Sequence, residues 1–275
     1  MNYFAALDIH ISLAPETVLR IGSFEVTNSM LTGLLGTIIT LAVFFYVARQ
    51  VKRGKTNRFV GLVQWGFESL LSQVNDVIGD AKLARKIAPL AIAIFFFVLI
   101  NYWLGIIPGV GPITIDGIPV LRSLTADLNF TIALAIITMV AVQIYAIRRH
   151  GFFSNAGRYF RNPLKDPIGA FEGILELVGE FSRLVALSLR LFGNTFAGEV
   201  LLVLIAVLSG YAAFLSLPVV MVFELFIGFI QAYVFFMLTL IFTALAQEGH
   251  GEEHHDDSPT HHSSADNLTQ IPARE

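Results

Sequence analysis

The chain contains no cysteine. Disulfides, zinc-thiolate centres, iron–sulfur clusters and thiol nucleophiles are thereby excluded. Charge is scarce too. Only 14% of the 275 residues are charged, against about 25% in an ordinary soluble domain. That scarcity excludes a soluble globular protein, and a hydrophobic content of 55% excludes a disordered chain. No phosphate loop is present: Gly54-Lys55-Thr56 looks like the end of one, but Arg49 stands where the first glycine is required and no strand precedes it. No Gly-rich dinucleotide loop and no metalloprotease helix occurs either. Nothing in the chain points to covalent chemistry, and neither a cofactor nor a bound metal is expected.

What is present is apolar length. Five runs are long enough to cross a bilayer: about 26–48, 87–107, 128–147, 170–209 and 217–247. The second is stopped by Pro108-Gly-Val-Gly-Pro112. The stretch at about 59–79 is amphipathic and too polar to cross, with Gln64, Glu68, Asn75 and Asp76, and is expected to lie along the membrane surface. The expected fold class is an all-α polytopic membrane protein: five transmembrane helices, one amphipathic surface helix, and a last pair forming a long, strongly tilted hairpin. About 40 residues in the fourth run would extend roughly 60 Å, twice the hydrocarbon thickness. Two such slanted helices would make a broad wall for another membrane element to slide on. The expected organisation is an outer N-terminal segment (1–25), one integral membrane domain (26–247) and a disordered cytoplasmic tail (248–275).

Basic residues set the orientation. Segment 49–86 holds eight Lys/Arg and segment 148–165 holds five, while Arg20 and Arg122 are alone on the other side. The N-terminus is therefore expected outside and the C-terminus inside. No cleaved signal peptide is evident, and the first span would serve as its own signal. The tail carries seven of the 21 acids, so the rest of the chain is net basic. It also carries five of the seven His, including His254-His255 and His261-His262. These read either as a solvated low-complexity end or as a metal-binding tract.

Seven charges lie inside the last two apolar runs. Arg190 and Arg183 are seven apart on the fourth, and at about 100° per residue they share a face with Asn194. A charge near the bilayer centre costs at least about 2.5–3.5 kcal/mol, which marks it as functional; the other reading is a buried ion pair joining helices. Arg keeps its proton, so Arg190 suits an electrostatic gate rather than a proton carrier. Glu199 lies nine residues on, on the opposite face and roughly 13 Å along the axis. On the fifth run, Glu224 and Gln231 share a face. If the last two runs turn near 209–216, Glu199 and Glu224 come to similar depth and would hold one proton between them. Asn101, Thr125, Asp127 and Asn129 fall on the same outer side, Asp127 doubling as a helix N-cap. Glu172, Glu176 and Glu180 recur at every fourth residue on the inner side, serving an inner path or compensating a helix N-terminus.

These residues resemble a known family, subunit a of the membrane sector of F-type ATP synthase. The resemblance rests on Ser188-Leu-Arg190-Leu-Phe-Gly-Asn194-x-x-Ala-Gly-Glu199. Asn101 with Pro108, Thr125-Ala-Asp127-x-Asn129, and Gln231-Ala-Tyr-Val-Phe235 support it. It covers about residues 5–248. It implies a non-catalytic, proton-translocating stator in a bacterial inner membrane, working against the c-ring, a multi-copy small hairpin subunit. Peripheral-stalk b subunits, the rest of the ATP synthase and the lipid bilayer are the other implied partners; no nucleic acid is expected. Arg190 would face the ring carboxylates. Asn101, Asp127, Asn129, Glu199, Glu224 and Gln231 would line an outer half-channel, Glu176 and Asn194 an inner one. Many members carry a His and an acid where this chain has Glu199 and Glu224. One charge crossing 100 mV yields about 2.3 kcal/mol, so several must pass per ATP. Two other classes of protein place charge differently. A stand-alone proton-coupled secondary transporter would show two related halves. A purely structural assembly subunit would not need intramembrane charges.

Overall fold

The computed structural model describes residues 12, 14–22, 24–55, 57–107, 114–115, 118–119, 122–152 and 167–247. The Pro108–Pro112 stop, the basic residues Arg158, Arg161 and Lys165, and the His-rich tail lie outside the described residues. Among the described residues six α-helices dominate: α1 Asn28–Lys52, α2 Arg58–Ile78, α3 Ala81–Ile106, α4 Leu128–His150, α5 Pro167–Ser209 and α6 Ala213–Gln247. Among the described residues, four helical stretches are long and apolar enough to cross a membrane: Asn28–Lys52, Ala81–Ile106, Leu128–Arg149 and the continuous Pro167–Gln247. A 3-10 turn at Gly210–Ala212 divides the last into α5 and α6, and the Ser216 hydroxyl donates to Ser209 across it, 2.9 Å. The hairpin thus turns where the sequence placed it. At 1.5 Å per residue, the 43 residues of α5 extend about 64 Å.

The helix ends differ from the apolar runs for local reasons. The first helix starts at Asn28 rather than at residue 26, because Val26 and Thr27 belong to a strand. Strands β1 (Thr17–Ile21) and β2 (Phe24–Thr27) form an antiparallel hairpin, in a segment to which the sequence reading assigned no element. Thr27 then caps α1 by accepting from Met30 N–H. A second pair, β3 (Thr114–Ile115) with β4 (Ile118–Pro119), is minimal. α3 starts six residues before its uncharged run. Gly79, at φ +69, ends α2, and Asp80 caps α3 through Lys82 N–H, so the polar turn that follows is helical too.

The core is built by α3, which packs on α6, α1 and α2. Its buried Ile87, Ala91, Ile92, Phe95, Val98 and Tyr102 meet Ala232, Phe235, Phe236 and Leu240 of α6 and Leu187 and Leu191 of α5. α2 lays Val60, Val63, Leu70 and Val74 inward, while its exposed side carries Glu68 and Asp76 together with Leu62 and Trp65.

The start of α4 is fixed by Asp127. One carboxylate oxygen accepts from Asn129 N–H (2.9 Å) and the other from the Ser29 hydroxyl of α1 (2.8 Å). Removing a helix cap costs about 1 kcal/mol, and stranding a buried hydroxyl adds to it. Asp127→Ala should therefore lower the thermal midpoint of the purified protein by several degrees, with Asp127→Asn recovering part of the loss; an unchanged midpoint would show that the cap contributes nothing.

Candidate functional site

Tyr102 and Gly105 of α3, Ser123 before α4, Thr195, Gly198 and Glu199 of α5, and Glu224 of α6 line one pocket. The two acids that the helical arithmetic set at similar depth do share it. Their partners differ. Glu224, 3% exposed, accepts from the Tyr102 hydroxyl at 3.2 Å. Glu199 pairs with Arg122 at 3.5 Å. Arg122 is itself anchored, donating from its backbone N–H to the Thr32 hydroxyl (3.1 Å) and from Nη1 to the Ala14 carbonyl (2.9 Å). One cation thus ties the N-terminal segment, α1 and the acid of α5 together.

Glycine makes the pocket possible. A Cβ on Gly198 would strike the Glu224 carboxylate, and one on Gly228 would strike the Tyr102 ring. Gly105 gives the same room to Ser123, and Gly36 to Asn101. Each is a point where a helix backbone comes close enough to seat a polar or aromatic side chain of its neighbour. Hydroxyls extend the pocket sideways: Thr195 donates to Thr125 at 3.1 Å, and Thr125 bonds Ser123 at 2.9 Å.

Beneath the pocket lies a second polar contact, the Asn194 amide donating to Gln231 Oε1 at 2.7 Å. Gln231 is seven residues past Glu224 and so about 10 Å further from the hairpin turn. Asn194 therefore goes with Gln231, not with Glu176, from which eighteen residues of helix, about 27 Å, separate it. Arg190 lies one turn beyond Asn194. It is exposed and makes no ion pair with any described residue, which answers the alternative of a buried pair joining helices. Leu187, Ser188, Leu191, Thr195 and Gly198 are the buried face of α5, so Arg190 is presented away from the bundle. Arg183, also exposed, stacks on Phe242 at 5.3 Å.

The remaining expected site residues do not line the pocket. Asn101 is fully buried against α1, donates to the Phe97 carbonyl and keeps Oδ1 unpaired among the described residues. Asp127 is engaged with Ser29 and its own helix. The Asn129 side chain is exposed. On the other side, Glu180 accepts from Gln143 of α4, joining the two helices, and Glu176 is half-buried. Tyr102, Thr195, Ser123 and Arg122 are site residues that the sequence reading missed. Tyr102 and Thr195 each sit beside a residue it named, and Arg122 entered only the orientation count.

Long apolar helices carrying an unpaired cation and a string of polar groups define a multi-pass membrane protein of the ion-translocating kind. The family described as ATP synthase A chain matches residues 30–244. ATP synthase subunit a of Acidothermus cellulolyticus is 30% identical over 264 residues, covering 94% of this chain and 92% of the relative. ATP synthase subunit a of Mycobacterium leprae is 32% identical over 260 residues (88% and 99%), and that of Helicobacter pylori strain P12 is 32% identical over 234 residues (82% and 95%). The chain belongs to the ATP synthase A chain family. As a member it is a membrane-embedded, non-catalytic subunit.

Proposed function

We propose that this chain is the proton-translocating stator of a bacterial F-type ATP synthase, set in the plasma membrane against a ring of small hairpin subunits. The observation that carries the reading is Arg190: an exposed, permanent cation on a long apolar helix, two turns from a carboxylate pocket at the outer end. Five crossings, by α1, α3, α4, α5 and α6, put the N-terminus outside and the C-terminus in the cytoplasm, with α2 at the inner surface and the peripheral-stalk b subunits packed alongside. Protons enter at the outer pocket through Glu199 and Glu224 and descend past Gln231 and Asn194. Asn101, Asp127 and Asn129 flank this outer path. From there the proton passes to a ring carboxylate. After nearly a full turn it leaves on the inner side near Glu176. Arg190 separates the two half-paths: its charge draws the arriving ring site into ionised form and keeps protons from crossing directly.

The absence of cysteine makes the test direct. Ala186 and Ala197 are exposed one turn before and two turns after Arg190, on its face. Ala186→Cys or Ala197→Cys should form an oxidative cross-link to a cysteine on the outer helix of the ring subunit. Val140→Cys, exposed on α4, should not. A chain that purifies without a hairpin subunit, or cross-links equally from all three positions, would point to a stand-alone transporter instead.

A further inference from the structure

We propose that Tyr102 is the hydroxyl through which the two outer carboxylates, Glu199 and Glu224, exchange a proton. The inference deepens the function proposed above and rests on it. Tyr102 is 1% exposed, yet its ring ends in a pocket that also holds Thr195, Glu199 and Glu224, beyond the apolar core that holds the rest of its face. The hydroxyl donates to Glu224. Glu199 lines the same pocket from α5. The charged and polar groups around the hydroxyl are Glu224 from α6, Glu199 and Thr195 from α5, and Ser123 before α4, with Arg122 behind Glu199. The space between them is of the order of a single water molecule.

The ring position is imposed, not incidental. Gly228 leaves α6 without a side chain where the ring edge passes, and any Cβ there would strike it. Such a fit holds the oxygen at a fixed place relative to Glu224, four residues earlier on the same helix. A phenol can accept a proton on its oxygen while giving up its own. In the step, the O–H bond on Glu199 breaks as its proton moves to the Tyr102 oxygen, directly or through one water. The Tyr102 proton moves to Glu224 in the same event. The net change is one proton from Glu199 to Glu224, with the phenol neutral before and after.

A space-filling role and a relay role separate cleanly, because Tyr102→Phe keeps the ring in its seat and removes only the oxygen. In inverted vesicles holding the complete complex, Tyr102→Phe should lower ATP-driven proton pumping about tenfold, the worth of one well-placed hydrogen bond. Assembly should be unchanged. 3,5-Difluorotyrosine at position 102, which keeps ring and oxygen but ionises more readily, should move the high-pH fall of pumping to lower pH. Wild-type pumping by the Phe variant together with an unmoved pH profile in the fluorinated protein would overturn the proposal and leave Tyr102 as packing. Should the Phe variant fail to assemble, the fluorinated protein decides alone. Glu224→Gln is measured alongside. If it pumps normally, the outer path itself is wrong; if it is blocked while Tyr102→Phe is normal, only the relay fails.

Discussion

Arg190→Ala should abolish ATP-driven proton pumping, by about a hundredfold or more, while the complex still assembles and its soluble sector still hydrolyses ATP. Both halves of the expectation come from where the side chain sits. Removing one partner of a buried ion pair strands the other charge and is strongly destabilising. Arg190 is exposed and pairs with no described residue, so its loss strands nothing within this subunit. What is lost is a fixed charge in a low-dielectric layer. Placing such a charge costs at least about 2.5–3.5 kcal/mol, and its attraction for an ionised ring site is of that order or larger, equivalent to about a hundredfold. Arg190→Lys should be nearly as inactive, since a lysine can release its proton when desolvated. Acridine-dye quenching in inverted vesicles reads the pumping, and native gel electrophoresis reads the assembly. Normal pumping by the alanine variant would remove the central claim.

Gly228→Val should stop pumping and Gly198→Ala should slow it, by different routes. At Gly228 the obstacle is the ring of Tyr102, itself fully enclosed. An aromatic ring in a packed seat cannot yield, so the valine must push α6 from α3, the most extensively packed pair of helices. Overpacking of this kind costs about 1–3 kcal/mol or more, and the expected result is loss of assembled subunit at the growth temperature. At Gly198 the obstacle is the carboxylate of Glu224, the far end of a flexible chain. It can swing away, so the fold survives while the acid leaves its hydrogen bond with Tyr102. The expected result is a stable, assembled and slow complex. Gly61→Ala, with open space around it, should alter neither stability nor pumping. Equal thermal midpoints for Gly228→Val and the wild type would show that the seat is looser than its geometry implies.

The helices were legible because a bilayer demands unbroken apolar length, and that demand is written directly in residues such as Leu31–Val47. Their ends were less so. The start of α3 depends on Asp80 and Gly79, a local cap chemistry that charge counting does not see. The hairpin of β1 and β2 was hidden because Thr17–Thr27 is short and is held partly from outside: Asn28 N–H bonds the Glu16 carbonyl at 3.0 Å. Within the site, Arg190, Glu199 and Glu224 stood out because charge inside an apolar run is expensive and therefore conspicuous. Their helical phases put the two acids in one pocket and Arg190 on another face. Tyr102 was invisible because tyrosine in an apolar helix looks like packing, and its role appears only when Gly228 seats the ring. Arg122 and Ser123 come from a connecting segment, which no helical phase can place. Asp127 was read correctly as a cap, but its bond to Ser29 joins residues 98 apart, a distance that spacing alone cannot bridge.

The glycine seats also bear on ancestry. Gly198 with Glu224, Gly228 with Tyr102, Gly105 with Ser123 and Gly36 with Asn101 are lock-and-key couples formed by residues far apart in the chain. The glycine of a couple cannot enlarge while its partner side chain stays in place. A lineage that enlarges the backbone side must first shrink or turn away the side chain it faces, and a lineage that loses the tyrosine releases position 228 from being glycine. Across the family these couples should mutate in concert, so that paired replacements alone would reveal which helices touch.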